Sequence, residues 1–193
     1  LATASPRWVL VGMVFLMLPF WTSVLVRTYA WMILLGRNGA LNQALAGLGL
    51  IDKPLALMFN TTGVVIGMVH VLLPYMVFPL YAVMRRVDPQ LLTAAEGLGA
   101  PRREIMRRVY LPLTMPGVVS GITLVFVISL GFFITPALLG GGRVLMVGVL
   151  IERLVRQHLE WGLAAALSAI VLALTLGVYL ALRRLLKEDV RWT

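Results

Sequence analysis

The sequence has no cysteine in its 193 residues, which excludes a disulfide framework, a thiolate metal site and a thiol nucleophile, and leaves the redox compartment open. Charge is scarce as well: 13% of residues are charged, about half the fraction usual in a soluble domain. The two histidines, His70 and His158, are too few and too far apart to suggest a metal site. Eight acidic residues are present and none falls inside the long apolar runs. The paired carboxylates of a membrane-embedded enzyme are therefore missing, as is a buried acid to bind a coupling proton or sodium ion. A transporter built from this chain must draw its energy from outside the chain. Nothing resembling a cleavable signal opens the sequence, which starts at Leu1.

What is present is apolar. Hydrophobic residues make up 60% of the chain, and the mean hydropathy is +0.93. A membrane helix needs about 20 predominantly apolar residues. Residues 60–84, 117–135 and 162–182 satisfy this, and a fourth run covers 8–26, continuing past Arg27 to 35, with a kink expected at Pro19. Backbone in lipid must satisfy its own hydrogen bonds, and nothing alternates like a barrel strand, so the expected fold class is an all-α integral membrane protein with four spans. Residues 41–50 read as a short interfacial helix, and Trp31 and Trp161 sit near membrane borders.

The formal net charge of +9 does not point to nucleic acid, because there is no lysine-rich tail and the basic residues gather in short loops. Placing residues 93–112 in the cytoplasm puts eleven of the 17 basic residues on that side: Arg7, Arg85, Arg86, Arg102, Arg103, Arg107, Arg108, Arg183, Arg184, Lys187 and Arg191. Gly63 with Gly67, Gly117 with Gly121 and, more weakly, Ala164 with Ser168 form small-residue stripes suited to helix contact in lipid. Pro74 and Pro79 interrupt their span five residues apart. They give either a broken helix lining a path or a static kink satisfied by neighbours. His70 reads as a hydrogen-bonded packing residue rather than a proton relay.

The segment that interrupts the apolar runs reads TAAEGLGAPRREIMRRVYLP, from Thr93 to Pro112. Leu91, Ala95 and Leu98 recur at helical spacing, and the small Ala94, Ala95 and Gly99 would let another surface approach the backbone. Pro101 suits a helix first turn, Glu104 lies near its N-terminal dipole, and Ile105, Met106 and Val109 share a face. The expectation is two short helices joined at a close-packing corner, the second ended by Leu111 and Pro112.

This segment resembles the cytoplasmic loop by which ABC importer permeases grip their ATPase. The family pattern is Glu-Ala-Ala, three residues, Gly, nine residues, Ile, one residue, Leu-Pro. Here it falls on Thr93, Ala94 and Ala95, then Gly99, then Val109, Leu111 and Pro112. The spacing is kept, but Thr93 stands where the family has Glu, and Val109 stands for Ile. Glu96, three places on, is the candidate replacement for the missing charge. Stretches 19–42, 73–92 and 131–141, with the Trp161-Gly162 start of the last span, look like permeases of the spermidine/putrescine class.

What the resemblance implies is a single transmembrane permease domain over 1–193, with an ATPase-docking loop at 85–116 made by Thr93, Ala94, Ala95, Glu96, Gly99, Ala100, Val109, Leu111 and Pro112. It implies a multi-pass subunit of the bacterial inner membrane that performs no chemistry and holds no cofactor or metal. ATP and magnesium would be bound by a partner ATPase dimer, the path would be shared with a second, identical or homologous permease subunit, and a periplasmic or lipid-anchored solute-binding protein would deliver the substrate. Family members usually have six spans, so two more are expected upstream of Leu1. Residues suggested for the path are Trp21, Tyr29, Trp31, Tyr75, Pro74 and Pro79, the aromatics through cation-π attraction or else as interfacial anchors. Polyamines are the expected solute. An iron complex, an amino acid or a similar solute, and a non-transporting scaffold, remain the alternatives.

Overall fold

The computed structural model describes residues 6–189 and the side chains of residues 7–181. The tail charges Arg183, Arg184 and Lys187 therefore lie outside the described side chains, and Arg191 outside the described residues. Every regular element among the described residues is helical: α1 (Pro6–Trp21), α2 (Val24–Leu35), α3 (Ala40–Gly47), α4 (Thr61–Met84), α5 (Pro89–Gly97), α6 (Arg102–Gly131), α7 (Ile134–Gly140), α8 (Val147–Arg156) and α9 (Trp161–Asp189). Of these, α4, α6 and the first part of α9 are each long and apolar enough to cross a membrane, and α1 with the Val24–Gly47 stretch that holds α2 and α3 adds a fourth crossing if the bent pair is one span.

The bent pair differs from the expected proline kink. Pro19 sits inside α1, whereas the chain breaks three residues beyond it, at Thr22 and Ser23, and Arg7–Trp21 lies at 103° to Val24–Gly47. A break of that size strips the last carbonyls of α1 of their helical partners. Arg27 fills the gap. Its Nη2 donates to the Pro19 carbonyl and, at 3.0 Å, to the Thr22 carbonyl, and the side chain is buried. A cation at the negative end of a helix dipole offsets part of the cost of burying the guanidinium.

The remaining prolines do not break their helices either. Helix α4 runs without interruption from its cap, where Asn60 Oδ1 accepts from Gly63 N–H at 2.9 Å, through Pro74 and Pro79 to Met84. Pro74 is fully buried against neighbours, which corrects the expectation of a broken helix there and leaves the static alternative. Likewise Leu111 and Pro112 do not end the helix that starts at Arg102. It continues as α6 to Gly131 through a widened, π-type turn at Ile105–Tyr110 directly before Pro112. A proline ring clashes with the carbonyl one turn back, and widening that turn is one way to keep the helix going. At its far end α6 stops at Gly131 rather than residue 135, and Phe132 is extended before the short α7.

Packing follows the glycines. A Cβ on Gly117 would lie 3.1 Å from both the Leu80 Cα and the Pro79 carbonyl, and one on Gly121 would lie 3.0 Å from the Met76 carbonyl. A side chain at either position would crowd the α4 backbone, so α4 and α6 form a close seam at these glycines. Gly67 faces α7 instead, where a Cβ would collide with Leu139, and Gly63 lies against the Leu57 carbonyl. Leu35, Val64, Met68, Leu72 and Leu139 make the core where α2, α4 and α7 meet. Two polar clips hold it: Thr28 Oγ1 and Thr135 Oγ1 at 3.0 Å, and Trp31 Nε1 donating to His70 Nδ1 at 3.0 Å. Since an indole N–H only donates, His70 Nδ1 is the accepting nitrogen, the packing role expected of it. Helix α9 is peripheral, with 6% of its apolar window buried.

Candidate functional site: a capped elbow feeding a long helix

Between the charged end of α4 and the seam at Gly117, the chain builds an elbow whose geometry is set locally. Asp88 Oδ1 accepts from Gln90 N–H at 2.9 Å, and Pro89 occupies the first turn, so α5 has a capped, pre-formed start. Its other end closes with three hydrogen bonds: Leu98 N–H to the Ala94 carbonyl at 3.1 Å, Gly99 N–H to the Glu96 carbonyl at 2.9 Å, and Ala100 N–H to the Ala95 carbonyl at 3.1 Å. The last two are the pairings of a Schellman cap, which demands a left-handed residue next to last. That residue is Gly99, at φ +79°.

This revises the reason for the glycine. A Cβ on Gly99 would meet nothing within 4 Å inside the chain, so the residue is required by its backbone conformation and not by internal crowding. Beyond the corner, Glu104 and Ile105 N–H donate to the Pro101 carbonyl at 2.8 and 3.1 Å, and α6 begins. Glu104 pairs with Arg108 at 3.4 Å, both exposed, a contact worth about 0.5 kcal/mol at most.

Helix α5 rests on the widened turn of α6, with Ile105 buried beneath it. Ala95, Ala100 and Val109 are half-buried, while Thr93, Ala94, Glu96, Leu111 and Pro112 are exposed. Thr93 Oγ1 donates to the Pro89 carbonyl at 3.2 Å, and Glu96 joins no ion pair among the described residues. The sequence-marked residues thus lie along α5, at its corner and on the early turns of α6. The elbow also shows two that the family pattern does not include: Leu91, 48% exposed, and Leu98, 89% exposed. Their spacing of seven was the signal available in the sequence.

The residues suggested for a path are not brought together within this chain. Trp21 and Tyr29 are exposed on the outside of the bundle, Trp31 is held by His70, and Pro74 is packed away. Pro79 presents its carbonyl to Gly117. Tyr75 stands edge-on to Phe20, ring centroids 5.8 Å apart, at a crevice of about 240 Å³ that Arg27 and Phe132 also line. Among the described residues no group of three or more His, Asp or Glu side chains could hold a metal ion.

Comparison with known proteins bears on both regions. Residues 4–191 match the family described as the inner membrane component of binding-protein-dependent transport systems. The chain is 41% identical over 178 residues to the spermidine/putrescine transport system permease protein PotB of Escherichia coli K12, covering 91% of this chain and 65% of the relative. It is 40% identical over 176 residues to the protein of that name from Haemophilus influenzae, covering 90% and 62%. A molybdenum transport system permease protein, ModB of Mycobacterium bovis, is 30% identical over 168 residues, covering 84% and 62%. The chain spans less than two thirds of the length of each of these relatives.

Proposed function

The chain belongs to the family of binding-protein-dependent transport system inner membrane components, and from that premise we propose that it is the transmembrane permease subunit of an ATP-driven importer for polyamines. The observation that carries the proposal is the continuity of the elbow with the membrane. Helix α5 is rigidly capped, its corner is fixed by Gly99, and α6 runs on from Arg102 to Gly131 without a break. A displacement applied at α5 passes along α6 to the Gly117 and Gly121 seam, where α4 follows because the two helices pack too closely there to admit a side chain without a shift. Nucleotide-driven closure of a partner ATPase dimer supplies that displacement, ATP and magnesium being held by the partner. A second permease subunit completes the path, and a solute-binding protein delivers the cargo.

The solute assignment rests on the relatives named for spermidine and putrescine, about ten percentage points nearer in identity than the one named for molybdenum. Polyamines are cations, so the crevice beside Tyr75 does not suit them: Arg27 lines it and repels positive charge. Trp21 and Tyr29, exposed on the bundle surface, are the aromatics free to attract a cation where the two subunits enclose a path. Selection among solutes lies mainly in the binding protein. In proteoliposomes holding the chain with its ATPase, second permease subunit and binding protein, ATP-dependent uptake of labelled spermidine or putrescine is expected, unaffected by excess molybdate. Uptake of an iron complex, an amino acid or molybdate in its place would refute the polyamine assignment.

A further inference from the structure

We infer that Leu98, with Leu91 one repeat behind it, is the apolar knob of the elbow, and that the surface receiving it is a protein pocket with an apolar floor and an acidic rim. The inference rests on the docking reading and names the contact within it. Leu98 is 89% exposed, the highest value of any large apolar side chain described, and it sits at the cap of α5 where three hydrogen bonds fix the backbone. An exposed leucine on a membrane span is covered by lipid. Leu98 is not on a span, and the segment around it, residues 85–112, carries six arginines against three carboxylates.

The charge pattern separates a protein partner from a lipid surface. A helix that lies on a membrane carries lysine and arginine on its polar face. Helix α5 carries none; its cap is Asp88, its charged residue is Glu96, and Ala94 and Thr93 lie between the two leucines. Small residues between two projecting ones suit close approach of a packed protein surface. The arginines stand on the flanks, Arg85 and Arg86 before α5 and Arg102 and Arg103 after the corner, where they would meet carboxylates around the pocket.

The chain contains no cysteine, so Leu98→Cys gives a single labelling site. The chain is placed in nanodiscs of anionic phospholipid with an environment-sensitive fluorophore at that site, and its partner P-loop ATPase, identified by copurification with the chain, is titrated in. The fluorophore is expected to be water-exposed in the disc alone and to shift to the blue as the ATPase binds. For unlabelled chains, Leu98→Ala should weaken binding by about tenfold or more and Leu98→Met should restore most of it, the scale set by burying one leucine. A fluorophore already buried before the ATPase is added would identify lipid as the occupant and overturn the inference. Unchanged affinity of Leu98→Ala alongside firm wild-type binding would overturn it while leaving the docking reading intact. Failure of the wild-type chain to bind the ATPase at all would remove both.

Discussion

Gly99 carries the sharpest lesson at the scale of one residue. The family spacing singles out this position, and small neighbours suggest that a partner needs the room. The structure supplies a different cause, a left-handed backbone at φ +79° closing a Schellman cap, with open space where a Cβ would go. The two causes make opposite predictions. An alanine in that conformation costs about 1 kcal/mol, whereas asparagine tolerates it better. ATP-dependent uptake by Gly99→Asn is therefore expected to exceed uptake by Gly99→Ala, severalfold in proteoliposomes of equal protein content. The reverse order, with the smaller alanine superior, would mean that space matters more than backbone sign. Arg27 shows the limit of the sequence at this scale. A lone arginine in an apolar run is visible, but its role as a cap on the severed end of α1 depends on a break that no residue at Thr22 or Ser23 announces.

Among elements, the long apolar runs of α4, α6 and α9 were legible because the bilayer sets a length that few other structures need. Their interruptions were not. Proline argues locally for an end or a kink, yet Pro74, Pro79 and Pro112 all lie in continuous helix, because neighbours and a widened turn absorb the missing donor. Conversely the 103° break in the first run falls not at Pro19 but three residues beyond it, at Thr22 and Ser23. In the proposed mechanism, the continuity of α6 from Arg102 to Gly131 is what lets it act as a lever. Inserting two glycines between Tyr110 and Leu111 is expected to leave ATPase binding and ATP hydrolysis in place while lowering uptake by more than tenfold. Uptake at the wild-type rate in that insertion would show that rigidity across the junction is not needed. The seam at Gly117 and Gly121, read from sequence as a small-residue stripe, belongs to the same proposed lever, since it holds α6 close against α4 where a side chain would crowd the α4 backbone.

For the whole molecule, the arrangement is a bundle with two ends of different character. One end is the α2, α4 and α7 core, clipped by Thr28 with Thr135 and by Trp31 with His70. The other is an elbow whose arginines, Arg85, Arg86, Arg102, Arg103, Arg107 and Arg108, are all exposed. The fold class and the elbow were both readable from composition and motif. The packing of α7 and the short helices beside it was not, because those pieces are too brief to carry periodicity. The proposed function requires the elbow to face the compartment that holds ATP and to be covered there by the ATPase. A single cysteine at Thr93, exposed on α5, tests this with a membrane-impermeant maleimide in vesicles of known sidedness. The account predicts labelling in inside-out vesicles stripped of ATPase, protection when the ATPase is restored, and no labelling in right-side-out vesicles. Labelling from the outer face, or equal labelling with and without bound ATPase, would contradict it.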